Sequence, residues 1–289
     1  MGRYEMSSES DLDYLIVCHA DDEHDHAPDI DQVDSLRFVV IEGKELRPPG
    51  ATGLFGASIR DEDLYAFIGL ERDTNETHSR RALVLEESVS LHDPALHVEL
   101  LRKMSVRYVD AIPLGRSRVP RFLLNDLARY WRQLAVDYQA KSETGQPSNL
   151  RRLKLIGPRK FTYASSVLPL LALELRELDK EDIVERVVEV FQVPPTLRFL
   201  DEVEYLGTVG ATDLVEPALA ALAAMDKFNG LLSDSEWRQR VQAAESRDEA
   251  EDLPEFRAGR DLARELQGHL DAVFFSPKLE QLTRKYLVF

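Results

Sequence analysis

Apolar and polar positions follow two different rhythms along the chain, and the change falls near Leu114. From Phe122 onward apolar residues return every three or four positions, which predicts one helix after another. The segments are FLLNDLARYWRQLAVDYQAK, SNLRRLKLIGPRKFTYASSVLPLLALELREL, EDIVERVVEVFQV, PTLRFLDEVEYLG, LVEPALAALAAMDKFNGLL, DSEWRQRVQAAESRDEA, AGRDLARELQGHLDAVFFS and PKLEQLTRKYLVF. Before the change the signals are mixed. LDYLIVCHA is a short apolar run between polar clusters and predicts a buried strand. GLFGASI, punctuated by glycine, predicts a second strand or an extended loop. Ile30 to Ile41 carries an imperfect helical pattern, and DDEHDHAPDID ahead of it reads as an acidic loop. DEDLYAFIG predicts a short helix with Asp61 as its N-cap. DTNETHSRRALVLEESVSL opens on cap-type residues and continues as a longer helix, and Asp93-Pro94 starts another, PALHVELLRKMSVRYV. IPLGRSRVP then separates an α/β region from an all-helical one, and no repeat recurs at a fixed period.

Composition narrows the class. Hydrophobic residues make up 44% of 289, enough for a proper core, so global disorder is excluded. The longest apolar run, SSVLPLLALEL, is too short to span a bilayer and contains Pro169. No basic region followed by an apolar stretch marks the N-terminus, and the one cysteine, Cys18, has no partner for an intrachain disulfide. These features point to a cytoplasmic protein that does not enter a membrane. A net charge of −16 argues against an extended polyanionic partner, because phosphate binding runs on Lys and Arg. A local basic cleft for one nucleotide stays compatible with it.

The most specific chemistry precedes the first strand. In an extended segment residues i and i+2 share a face, so Asp11 and Asp13 project side by side while Leu12 turns inward. Two carboxylates held this close repel unless a cation sits between them. Mg²⁺ takes one or two carboxylates plus substrate phosphates, so a D-x-D at a strand end suits metal-dependent phosphoryl or nucleotidyl transfer. The plainer reading is a pair of solvated aspartates at a loop–strand junction.

The residues ahead of the pair extend the motif. GRYEMSSESDLDYLIV resembles the signature of the DNA polymerase β-type nucleotidyltransferase superfamily, with Gly2, Arg3, Glu5, Ser10, Asp11 and Asp13 on the matching places. FLLNDLARYWRQLAVDYQAK and NLRRLKLIGPRKFTYASS are similar to a bacterial branch akin to the uridylyltransferases of nitrogen regulation. The resemblance implies an α+β fold: a small mixed-sheet nucleotidyltransferase domain over residues 1–113, followed by an all-helical bundle domain over 114–289, with the active site in the cleft between them. It implies Mg²⁺ or Mn²⁺ on Asp11 and Asp13, and a nucleoside triphosphate as substrate. Gly2, Arg3 and Ser10 lie on the phosphate side. The acceptor is unidentified, with protein or small molecule favoured over RNA. A third carboxylate is expected on a neighbouring strand; Glu42 and Glu45 lie at about the right distance, and Glu45 is the preferred candidate. The family's Gly-Ser, with a first strand and helix, falls ahead of Met1. The chain is therefore expected to be N-terminally truncated, lacking part of its phosphate loop and with its own activity impaired. The rival expectation is a module of the same fold that senses nucleotide or docks a protein without catalysis. A third is a helical scaffold with a vestigial N-terminus.

Other polar clusters carry two readings each. Asp73, Asn75, Glu76 and Arg80 line a nucleotide cleft, or the segment is simply a capped helix with Thr74 or Asp73 at its start and Glu76 or Thr77 in its first turn. Asn125, Asp126, Arg129 and Arg132 fall mostly along one helical stripe. Arg151, Arg152, Lys154, Arg159 and Lys160 concentrate positive charge, and of these Arg152, Lys154, Arg159 and Lys160 are the candidate phosphate ligands; the alternative is that they neutralise nearby acids. His24 and His26 lie in an irregular acidic loop without a second cluster, which favours a solvated loop over a metal site. Ser165-Ser166 lacks a nucleophile-elbow context.

Overall fold

The computed structural model describes residues 13–19, 54–112, 117–143, 148–244 and 246–287. Two strands, β1 (Leu15–Cys18) and β2 (Ala57–Arg60), are followed by thirteen helices among the described residues. These are α1 (Glu62–Tyr65), α2 (Asn75–Glu87), α3 (Pro94–Val109), α4 (Arg121–Glu143), α5 (Asn149–Ile156), α6 (Pro158–Ala172), α7 (Lys180–Gln192), α8 (Pro195–Thr208), α9 (Val215–Ser233), α10 (Ser235–Ala243), α11 (Arg247–Asp252), α12 (Pro254–Phe274) and α13 (Glu280–Tyr286). The chain is mostly helical with a small parallel sheet. It divides into two compact units, residues 1–107 and 108–289.

In the first unit β1 and β2 pair in parallel, Leu15 opposite Ala57 and Cys18 opposite Arg60. The ladder is extended at one end by Gly56 N–H to Tyr14 O (2.8 Å) and at the other by Asp61 N–H to Cys18 O (3.0 Å). GLFGASI thus supplies a strand rather than a loop. β1 is less buried than its apolar sequence predicts: Leu15, Ile16 and Cys18 are half-buried and Val17 is exposed. Asp61 caps α1, its carboxylate accepting Glu62 N–H at 2.8 Å. Thr74 caps α2 through Thr77 N–H, and Pro94 opens α3, all three as their sequences predict. The helices of this unit bury Leu64, Leu85, Leu101 and Met104.

In the second unit α6 is the central element, with twelve of its fifteen residues buried. Fully burying an aliphatic side chain contributes about 1.5–3 kcal/mol, so the run SSVLPLLA is a core column. It continues through Pro169 and passes directly into a 3₁₀ turn, Leu173–Leu175. The long helical run predicted from Ser148 to Leu178 is broken, at Gly157-Pro158, into α5 and α6. Periodicity continues across the break, but Pro158 cannot donate within a helix and fits its first position. A Cβ at Gly157 would lie 2.7 Å from the Phe228 ring, so the tight corner needs glycine. DSEWRQRVQAAESRDEA likewise divides, into α10 and α11. Burial along α12 falls on Phe256, Gly259, Ala263, Leu266, Leu270 and Val273, alternating three and four apart as a one-faced helix must. Its neighbour α9 presents the small residues Ala218, Ala221 and Ala224, which shorten the distance at which helices can pack. Gly210 (φ 91°) ends α8, with Ala211 N–H on Leu206 O (2.9 Å) and Gly210 N–H on Gly207 O (3.2 Å). That paired closure requires a left-handed residue at the glycine.

Candidate functional site

Asp13 is exposed and sits two residues ahead of β1, in backbone that is not part of the strand. Its companion Asp11, together with Gly2, Arg3, Ser10, Glu42 and Glu45, lies outside the described residues, as do His24, His26 and the helix predicted from Ile30 to Ile41. Among the described residues no three His, Cys, Asp or Glu side chains gather so as to hold a metal ion. An exposed carboxylate at a strand entrance is nevertheless the donor type that Mg²⁺ accepts, since that ion keeps much of its water and needs few protein ligands.

The opposite ends of the two strands carry a polar cluster that the sequence did not reveal. His19 follows β1 and Asp61 follows β2, and parallel pairing brings them together: His19 Nδ1 is 2.7 Å from Asp61 Oδ2. Lys103 of α3 donates to the same oxygen at 3.2 Å, and the Tyr65 hydroxyl at 3.4 Å. Burial alone would raise the Asp61 pKa, but the hydrogen bonds and charges of Lys103 and His19 outweigh it and hold the carboxyl below its usual range. Burial works against the Lys103 charge, yet its bonds to Asp61 and Glu99 raise its pKa. An ionised Asp61 makes His19 Nδ1 the donor of this bond. The cluster joins the strand ends to α1 and α3.

At the start of α2 capping and clamping account for the polar residues. Asp73 meets Arg81 through two parallel bonds of 2.9 Å, and the two side chains are 2% and 1% exposed. Gly69 N–H and the Thr77 hydroxyl also donate to Asp73. Burial pushes the Asp73 pKa up, but Arg81 and these donors bring it below the ordinary value. Arg80 donates to Leu54 O at 2.9 Å and pairs with Glu76 one turn earlier.

In the helical unit the stripe Asn125, Asp126, Arg129 and Arg132 of α4 lines a pocket of about 390 Å³, together with Trp131, Tyr163 of α6, and Tyr286 and Leu287 at the end of α13. Asn125, Arg129 and Arg132 are exposed, while Asp126 is half-buried and accepts the Tyr108 hydroxyl at 2.7 Å. The Trp131 and Tyr163 rings stack, with centroids 5.8 Å apart and planes within 26°. Tyr286 is held by Ser117 (2.9 Å) and by Glu174 (3.0 Å). Burial would raise the Glu174 pKa, but Arg118 N–H, Tyr286 and Lys285 hold it below its usual value.

The cations that follow on α5 and α6 are spread rather than focused. Arg152 donates to Glu251 at 2.8 Å and lies 5.5 Å from the Phe256 ring centroid, and Arg260 shares the same glutamate. Lys160 is half-buried; burial lowers its pKa, and the charge of Asp271 opposes that effect. Arg260 and Asp271 are eleven positions apart on α12, or about 16 Å at the helical rise. Arg151 and Arg159 are exposed, and Lys154 is half-buried. Compared with protein-family models, curated proteins and solved structures, the chain matches none of them.

Proposed function

We propose that this protein is a metal-dependent nucleotidyltransferase that transfers a nucleoside monophosphate from a triphosphate to an acceptor hydroxyl. The reading rests on one observation: in the sequence Ser10-Asp11-Leu12-Asp13 precedes β1 by a single residue, and β1 pairs in parallel with β2. Asp11 and Asp13, with Glu45 as third carboxylate, would hold Mg²⁺ or Mn²⁺. When bound, such an ion neutralises triphosphate charge and makes the acceptor hydroxyl more acidic. Gly2 and Ser10 on the phosphate loop, with Arg3, are the candidate phosphate contacts. The acceptor oxygen bonds to the α-phosphorus as the α–β bridging bond breaks. Pyrophosphate leaves with the electron pair, and the acceptor gives up its proton. The nucleotidyltransferase domain belongs to the same proposal, as does an acceptor that is protein or small molecule.

The test incubates the chain with α-labelled nucleoside triphosphates, Mg²⁺ or Mn²⁺, and host lysate as the acceptor source. Label should move to an acceptor and be lost in Asp11→Asn and Asp13→Asn with circular dichroism unchanged. Normal transfer by the asparagine variants would overturn the mechanism. Metal-dependent triphosphate binding without pyrophosphate release would favour a nucleotide-sensing module, and no binding would favour a helical scaffold.

A further inference from the structure

The cluster at the carboxyl ends of β1 and β2 lies wholly within the first unit, and the transfer proposed for Asp11 and Asp13 makes no use of it. Asp13 and His19 are six positions apart and lie on opposite sides of β1, about 20 Å at the rise of an extended chain. Ligands of parallel sheets bind outside the carboxyl ends of the strands, which is where His19 and Asp61 meet.

Asp61 is the hub. Its side chain is 6% exposed, and its Oδ2 accepts from His19 Nδ1 at 2.7 Å, Lys103 at 3.2 Å and the Tyr65 hydroxyl at 3.4 Å. Three of these four side chains have displaced pKa values: Asp61 down, Lys103 up, and Tyr65 up through burial and then the Asp61 charge. Such groups concentrate where a protein does chemistry. His19 is the member that reaches solvent. Its side chain is 38% exposed, and both polar contacts of the ring, to Asp61 and to Lys103 Nζ at 3.5 Å, are made by Nδ1. A neutral ring that donates through Nδ1 carries its lone pair on Nε2. The carboxylate behind it fixes that tautomer and stabilises positive charge developing on the ring.

The surrounding charges narrow the substrate. Lys103 is held by Asp61 and Glu99, and Arg107 by the Tyr65 and Ala66 carbonyls. Neither is left to take up the charge of a phosphate. With two carboxylates, Asp61 and Glu99, to the one ammonium of Lys103, the cluster favours a neutral electrophile.

We propose that His19 is the nucleophile of a second site that acts on neutral carboxylic esters, with Asp61 as its positioning residue. Nε2 bonds to the acyl carbon, and the ester C–O bond breaks with its electron pair on the alcohol oxygen, which solvent protonates. The Nδ1 proton stays in the hydrogen bond to Asp61. Water then adds to the acyl carbon, the C–N bond breaks with its pair returning to Nε2, and the carboxylic acid leaves.

The probe is p-nitrophenyl acetate, hydrolysed by the full chain at about pH 8, where an ordinary imidazole of pKa about 6.5 is neutral. Absorbance follows p-nitrophenolate, and mass spectrometry of acid-quenched protein locates the acetyl group. Equimolar imidazole is the control for ordinary ring reactivity. The protein should exceed it by about tenfold or more, with acetyl on His19. His19→Gln should remove that excess. His92→Gln, at an exposed ring with no carboxylate bonded to it among the described residues, should leave it intact. Asp61→Asn keeps a capping residue and removes the charge; kcat should fall about tenfold or more with KM unchanged, in protein whose circular dichroism is that of the wild type. The probe carries no phosphate, so its outcome stands apart from that of nucleotidyl transfer. A rate no greater than that of equimolar imidazole overturns the proposal. So does full activity in folded His19→Gln, or acetyl on another residue with His19 bare.

Discussion

Two polar helical segments look alike in sequence and differ in what the fold does with them. The start of α2 carries Asp73, Asn75, Glu76, Arg80 and Arg81; α4 carries Asn125, Asp126, Arg129 and Arg132. Both place acids and arginines at helical spacing beside an apolar face. On α2 the arginine fork turns inward and closes on Asp73, so both charges leave water together. On α4 Asp126 takes a tyrosine hydroxyl instead, and Arg129 and Arg132 stay at the surface around a pocket. The same residue types therefore make a clamp in one unit and a lined opening in the other. What separates them is whether the arginine turns into the core, as Arg81 does, or stays at the surface, as Arg129 and Arg132 do.

That contrast can be broken by measurement. The largest effect belongs to the clamp: Asp73→Ala or Arg81→Ala leaves one buried charge without its partner. Either should cost about 3–5 kcal/mol, read by urea denaturation followed by circular dichroism. A loss below about 1 kcal/mol would mean that the pair is not what holds α2.

Acid should expose the same clamp. Because the Asp73 pKa is lowered in the folded state, its stabilisation is complete above the unfolded value of about 3.9 and fades as pH falls through the folded value. Wild-type stability should drop below about pH 4 more steeply than that of Asp73→Asn. Parallel slopes for the two proteins would remove the linkage. Asp61 and Glu174, also lowered, carry the remaining acid sensitivity in the same direction.

On α4 the effects should be smaller. Tyr108→Phe deletes one hydrogen bond to the half-buried Asp126 and should cost about 1 kcal/mol in the same denaturation assay. Arg132→Gln and Asn125→Ala, on the exposed rim, should change stability by less than about 0.5 kcal/mol. A loss above about 2 kcal/mol from Arg132→Gln would show that α4 is clamped as α2 is, and would erase the difference between the segments.

Legibility followed the range of the interactions. The Thr74 and Asp61 caps and the Pro94 start were readable because each depends on residues a few positions apart. The break at Gly157 was not, since what forbids a side chain there is Phe228, far along the chain on α9. The His19–Asp61 pair was invisible for the same reason. Its members are 42 positions apart and meet only because the two strands run parallel, which sets their C-terminal ends side by side. The Asn125–Arg132 stripe was legible as a stripe, but its pocket needed Tyr163 and Tyr286 from two other helices.

Local chemistry written in the sequence was sufficient for the strand ahead of His19, for most of the helices after Phe122 and for the helix caps at Asp61 and Thr74, because backbone propensity, capping and amphipathic period act within a few residues. It was also sufficient to mark where charge concentrates in an acidic chain. Which of those charges became clamps and which stayed at an open surface was decided only by tertiary packing. A charged side chain is satisfied by whatever group reaches it through space, and for Arg81 that group is Asp73 inside the protein, while for Arg132 the fold leaves the place to solvent or a ligand.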